Sequence, residues 1–166
     1  EQLKDPASAL ASFRRLLELS PDDVNALARM ERLSETQQRW PELADVLARR
    51  AKQLPPEEQA PVVFRLAVVR ETRLLDKQGA LELYRDLLAQ NPRHEGALKQ
   101  LESLMQREPQ SQQVFETLAQ AYRSSRDAAA LARLIESRVA VSPDSVERKT
   151  LLSELASLRE GQGEAA

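Results

Sequence analysis

The sequence predicts an all-α chain of about nine helices, an α-solenoid built from repeated helix pairs. Three observations carry that expectation. Prolines recur at a helical-repeat spacing. Pro21 and Pro55 are 34 residues apart, as are Pro109 and Pro143; Pro92 follows Pro55 by 37, and Pro109 follows Pro92 by 17. A unit of about 34 residues is one helix–turn–helix. Apolar residues recur at i, i+3, i+4 and i+7, and no stretch alternates as a strand would. The composition favours helix at exposed as well as apolar positions, with only 4 glycines in 166 residues.

The first helix is expected over residues 6–19, with Ala9, Phe13, Leu16 and Leu17 on one face. The second starts at Pro21, capped by Ser20, with Asp22 and Asp23 in its first turn and Ala26, Leu27, Met30 and Leu33 inward. The third, over 41–54, turns Leu43, Val46, Leu47 and Leu54 inward. The fourth, over 56–74, does so with Val63, Phe64, Ala67 and Val68, and Pro61 predicts a frayed or separate first turn. The fifth, over 78–90, carries Ala80, Leu81, Tyr84, Leu87 and Leu88. Four more are expected over 93–106, 110–124, 127–141 and 143–160. Asn91-Pro92 and Ser142-Pro143, like Ser20-Pro21, read as a cap followed by a first-turn proline.

A longer period lies over the short one. Residues 5–33 align without a gap to 76–104, and eleven of 29 positions are identical, Pro21/Pro92 and Leu27/Leu98 among them. Residues 61–71 resemble 150–160, but at an offset of 89 rather than 71. About half a repeat is therefore inserted in the second unit, and the helix between Pro92 and Pro109 is the candidate. The expected organisation is a single segment over 1–166. It comprises a half repeat at 5–20, units at 21–54 and 55–91, an odd helix at 92–108, a unit at 109–142 and a half repeat at 143–160.

The run Phe115-x-x-Leu118-Ala119-x-x-Tyr122, followed by Ile135 and Pro143, resembles the tetratricopeptide pattern. Ala9, Phe13 and Pro21, and again Ala80, Tyr84 and Pro92, resemble its second half, while Leu131 stands where the family has a small residue. The resemblance implies a right-handed α-solenoid of antiparallel helix pairs, in which these signature residues serve packing. Neither end shows a polar cap, and residues 161–166 read as a turn and the start of another helix, so the segment is expected to belong to a longer array.

Chemistry-bearing constellations are scarce. One histidine and no cysteine give no zinc set and no disulfide. No glycine-rich phosphate loop and no nucleophile elbow are present. Glu31 and Glu35 beside Arg32, and Glu82 beside Arg85, read as solvated faces; His94 reads as a solvated helix-start residue and Trp40 as the anchor of the turn between the second and third helices. No catalytic residue, metal or cofactor is expected, and the chain is not read as an enzyme. A net charge of −2 argues against nucleic acid, and no apolar run is long enough to insert in a membrane. The absence of cysteine and of a signal pattern points to the cytoplasm, and the excess of arginine over lysine to a GC-rich bacterial source.

Binding is what remains. The resemblance places Asn25, Arg29 and Arg32, then Arg65, Val69 and Arg73, then Lys99, Gln120 and Arg123 on the concave face. These positions are mostly basic, and arginine suits bidentate contact with carboxylates. The expected role is a noncatalytic protein–protein interaction scaffold that takes an acidic peptide segment of another protein. Two alternatives stand beside it: a structural segment that forms homo-oligomers by stacking through its ends, and a regulatory part of a larger enzyme or signalling protein.

Overall fold

The computed structural model describes residues 6–20 and 23–163. Among them are nine α-helices and no strand: α1 Pro6–Leu19, α2 Val24–Thr36, α3 Trp40–Gln53, α4 Pro56–Thr72, α5 Lys77–Gln90, α6 Glu95–Arg107, α7 Gln112–Ser125, α8 Ala128–Val141 and α9 Ser145–Gly163. The chain divides into two compact units, Glu1–Leu83 and Tyr84–Ala166, and the division falls inside α5. In the first unit α1 packs on α2, α2 on α3 and α3 on α4; in the second α6 packs on α7, α7 on α8 and α8 on α9.

The prolines act one step earlier than expected. Asp23, not Ser20, caps α2: its carboxylate accepts the Ala26 amide at 2.8 Å. The Ser20 carbonyl instead accepts the Asp23 amide at 3.2 Å. The same arrangement starts α6, where His94 Nδ1 accepts the Ala97 amide at 3.1 Å and the Asn91 carbonyl accepts the His94 amide at 3.0 Å. Before α7, the Glu108 carbonyl accepts the amide of the cap residue Ser111 at 3.0 Å. Pro92 and Pro109 take the second place of a four-residue turn, where proline's fixed φ is favourable, and the cap takes the fourth. Pro21 and Asp22 lie outside the described residues.

Shifting the chain by 88 residues relates four consecutive helices. The starts and ends of α2 and α3 fall on those of α7 and α8, allowing one residue at the end of α7, and α1 and α4 fall within a few residues of α6 and α9. The ladder repeats with it, Pro21 onto Pro109 and Pro55 onto Pro143. Burial follows: Ala26, Leu27, Met30, Glu31 and Ser34 of α2 are buried, and so are Val114, Phe115, Leu118, Ala119 and Tyr122 of α7. The helix without a counterpart at this spacing is α5, where the two units divide, rather than the helix at 92–108.

Among the described residues three that are not glycine hold positive φ: Gln38 at 55°, Leu75 at 55° and Arg126 at 56°. Gln38 and Arg126 are again equivalent. Each lets the next amide reach back to close the preceding helix, Arg39 to the Ser34 carbonyl at 2.8 Å and Asp127 to the Tyr122 carbonyl at 2.9 Å. No described glycine has positive φ.

Two core clusters fill the first unit. Leu10 and Leu17 of α1 pack with Ala26, Leu27, Met30 and Val46, while Leu43, Ala44 and Leu47 of α3 pack with Leu66 and Val69 of α4. Leu16, expected inward, is 38% exposed, and Leu10 takes its place. In α4 the buried apolar side chains are Leu66, Ala67 and Val69, not Val63, Phe64 and Val68. Its apolar residues between 60 and 69 fall on every side of the helix, so periodicity alone does not orient it. It also runs unbroken through Pro61, because so near its start the proline forfeits only the bond to the Glu57 carbonyl. Residues 161–163 continue α9 instead of turning. No helix among the described residues is long and apolar enough to cross a membrane.

The second unit is pinned by a buried guanidinium, that of Arg138. Its Nε donates to Glu147 at 2.9 Å, Nη2 to Gln112 at 2.7 Å and Nη1 to the Pro109 carbonyl at 3.3 Å, and it lies over the Phe115 ring at 5.5 Å. Hydrogen bonds from Ser142 and Arg138 hold the Glu147 carboxyl below its ordinary value of 4.5. The stability Glu147 contributes is therefore full above that value and is lost as pH falls through the lower folded value. Glu147→Gln is expected to be less stable than wild type at pH 7, with the difference closing in acid; urea melts across pH 7 to 3 check it, and a constant difference would contradict it. Leu75→Gly is expected to raise stability by about 0.5–1 kcal/mol in the same assay, because relief of roughly 1–2 kcal/mol of left-handed strain exceeds the entropy glycine adds to the unfolded chain.

Candidate partner-binding face

The exposed side of α2 carries Asn25, Arg29 and Arg32. Spacing of three to four residues places them on one face, opposite the buried Ala26, Leu27 and Met30. Asp23 starts the helix so that this division of faces follows. The guanidinium groups of Arg29 and Arg32 have no partner among the described residues.

The acidic neighbours of these arginines are occupied elsewhere. Glu31 is buried and accepts from both Arg50 of α3 and Arg65 of α4. Glu35 is paired with Arg65 at 2.8 Å. Burial alone would lower the Arg65 pKa, but its hydrogen bond to Glu35 and the charges of Glu31 and Glu35 outweigh this and raise it. Arg65 thus ties α4 to α2 and is not a free cation. Its partner Glu31 is 34 residues earlier, one repeat length, and that spacing was the signal in the sequence for a contact between equivalent positions. Reading Glu31 as solvated missed it.

The other expected face residues are placed as follows. Val69 is buried against Leu43, Ala44, Leu47 and Leu66, so it offers nothing to a partner. Arg73 is exposed and stacks over the Trp40 ring at 4.7 Å from its centroid, while Trp40 packs against the core beneath it. In the second unit Lys99 is exposed on α6. Gln120 of α7 is exposed and donates weakly to Ser124 at 3.4 Å. Arg123 of α7 is held by Glu154 of α9, through Nε at 3.0 Å and Nη2 at 2.8 Å. Of the nine expected residues, only Asn25, Arg29, Arg32 and Lys99 present side chains engaged with no other described group.

Among the described residues no cluster of three His, Cys, Asp or Glu side chains could hold a metal ion. His94 serves as a helix cap through Nδ1. Tyr122 donates its hydroxyl to Glu102 at 2.5 Å; burial, then that hydrogen bond and the Glu102 charge, raise its pKa. No protein-family model matches the chain, and no curated protein matches it in sequence.

Glu31→Gln is expected to destabilise the protein by about 2–3 kcal/mol, because two guanidinium groups lose their shared carboxylate. Urea denaturation measures the loss. A double-mutant cycle with Arg50→Met is expected to show strong coupling, and additive effects would contradict the shared pairing.

Proposed function

We propose that this chain is a noncatalytic scaffold for protein–protein interaction, a tetratricopeptide-like α-solenoid of antiparallel helix pairs that takes an acidic segment of another protein on the exposed face of α2. The observation that carries this reading is the division of labour between charges on α2. Glu31 and Glu35 are neutralised by Arg50 and Arg65. Arg29 and Arg32 are three residues apart, and the carboxylates nearest them on their own helix, Glu31 and Glu35, are already engaged. Two guanidinium groups at that spacing can each grip a carboxylate in bidentate fashion. The serial packing of each helix on its chain neighbour within a unit supports the reading, because such packing leaves one side of a helix open along its length.

A preformed helical face loses little conformational entropy on binding, so the interaction energy is retained as affinity. Paired replacement of Arg29 and Arg32 by Glu is expected to abolish capture of an acidic peptide, here a fluorescent poly-glutamate probe followed by anisotropy at low salt. Because both side chains are exposed, the melting curve is expected to stay near that of wild type. Unchanged binding of the probe would remove α2 from the site.

A further inference from the structure

The 88-residue shift that relates the two helix sets also relates two clefts. In the first unit a cleft of about 760 Å³ lies between α1 and α3, with α2 behind it. In the second unit a cleft of about 230 Å³ lies between α6 and α8, with α7 behind it. Every lining position of the first except Pro41 shifts by 88 onto a lining position of the second. Leu17 and Met30 become Met105 and Leu118, so the apolar floor is kept. Arg14, Glu18 and Asp45 become Glu102, Gln106 and Arg133, so the charges are not.

The two clefts also differ in one large side chain. Tyr122 lines the second cleft and fixes its hydroxyl on Glu102. The equivalent residue in α2 is Ser34, which is fully buried and whose hydroxyl makes no hydrogen bond among the described residues. The second cleft is filled by a tyrosine of its own helix; the first has no such side chain. Around the first, Arg14 of α1 is bonded to Glu42 of α3, and Arg49 pairs with Asp45 at 3.0 Å. Burial would raise the Glu42 pKa, but a backbone hydrogen bond, the bond from Arg39 and the charges of Arg14 and Arg39 lower it, so Glu42 stays ionised and engaged. Glu18 is left as an exposed carboxylate with no partner among the described residues.

We propose that the cleft between α1 and α3 docks a cationic amphipathic segment of another protein, with an aromatic or large aliphatic side chain over Leu17 and Met30 and a lysine or arginine at Glu18. The aromatic preference comes from the way the equivalent cleft is occupied by Tyr122. The preference for a cation comes from the one carboxylate of the lining that the protein's own arginines leave unpaired. Leu17 and Met30 are packed from below in the core cluster, so the occupant adds a layer above them. This site does not rest on the arginine face of α2, since Met30 points to the opposite side of that helix.

The test uses two synthetic amphipathic peptides that share a Tyr and Leu face, one flanked by Lys and its match flanked by Glu. Titration calorimetry with the full chain carrying Arg29→Ala and Arg32→Ala, which removes the acidic-peptide site proposed on α2, is expected to show binding of the Lys peptide alone. Methyl resonances of Met30 and Leu17 are expected to shift with it. Glu18→Lys, an exposed change that leaves the core untouched, is expected to weaken the Lys peptide by about tenfold. No binding, equal binding of both peptides, or shifts confined to residues away from Met30 and Leu17 would each overturn the proposal. So would self-association of the chain that Glu18→Lys abolishes, because it would assign the cleft to a second copy.

Discussion

The bond from a helix-cap amide back to the carbonyl before a proline sets the metre of this chain. It joins Asp23 to Ser20 and closes the turns at Asn91–His94 and Glu108–Ser111. Each such turn fixes where the next helix begins, and hence which of its faces meets the previous helix. Because the turn has constant length, a shift of 88 residues carries buried positions onto buried positions and one cleft onto another. The cap chemistry is secondary to this. A carboxylate at Asp23 and an imidazole at His94 each accept the amide three residues on, whereas Ser111 starts α7 with no side-chain cap bond.

Arginine holds the third helix of each set in place, by different partners. Arg50 reaches the buried carboxylate of Glu31 on α2. Its equivalent, Arg138, is more deeply buried and finds a carboxylate on α9, an amide oxygen on α7 and a backbone carbonyl. A guanidinium can do this because its five donors lie in a rigid plane and satisfy several acceptors at once. Each burial of charge is thereby matched by hydrogen bonds, which is the condition under which it does not weaken the fold.

Much of the architecture was legible in the sequence. Proline spacing and helical periodicity placed the nine helices of the described residues, because both reflect local backbone chemistry. What the sequence could not settle was decided by tertiary contact. The orientation of α4 was invisible because Val62, Val63, Phe64, Val68 and Val69 surround it, and only the position of α3 selects Val69 and Leu66 for the interior. For the same reason a valine assigned to the binding face is core. The basic character of that face was overstated, since Arg65 and Arg123 serve ion pairs with carboxylates on neighbouring helices. A sequence records the arginines, but not which of them are already spoken for.

The turns contain no glycine at positive φ; glutamine, leucine and arginine occupy those positions instead. Left-handed strain at these points costs more than the stiffness they lend the unfolded chain, but the prolines, whose φ is fixed, restrict that chain at no such cost. The disordered ensemble has fewer ways to wander at each connection, so less disorder is surrendered when a helix docks on its neighbour. Part of the stability of this protein is thus found in no contact at all, but in the stiffness of its denatured state.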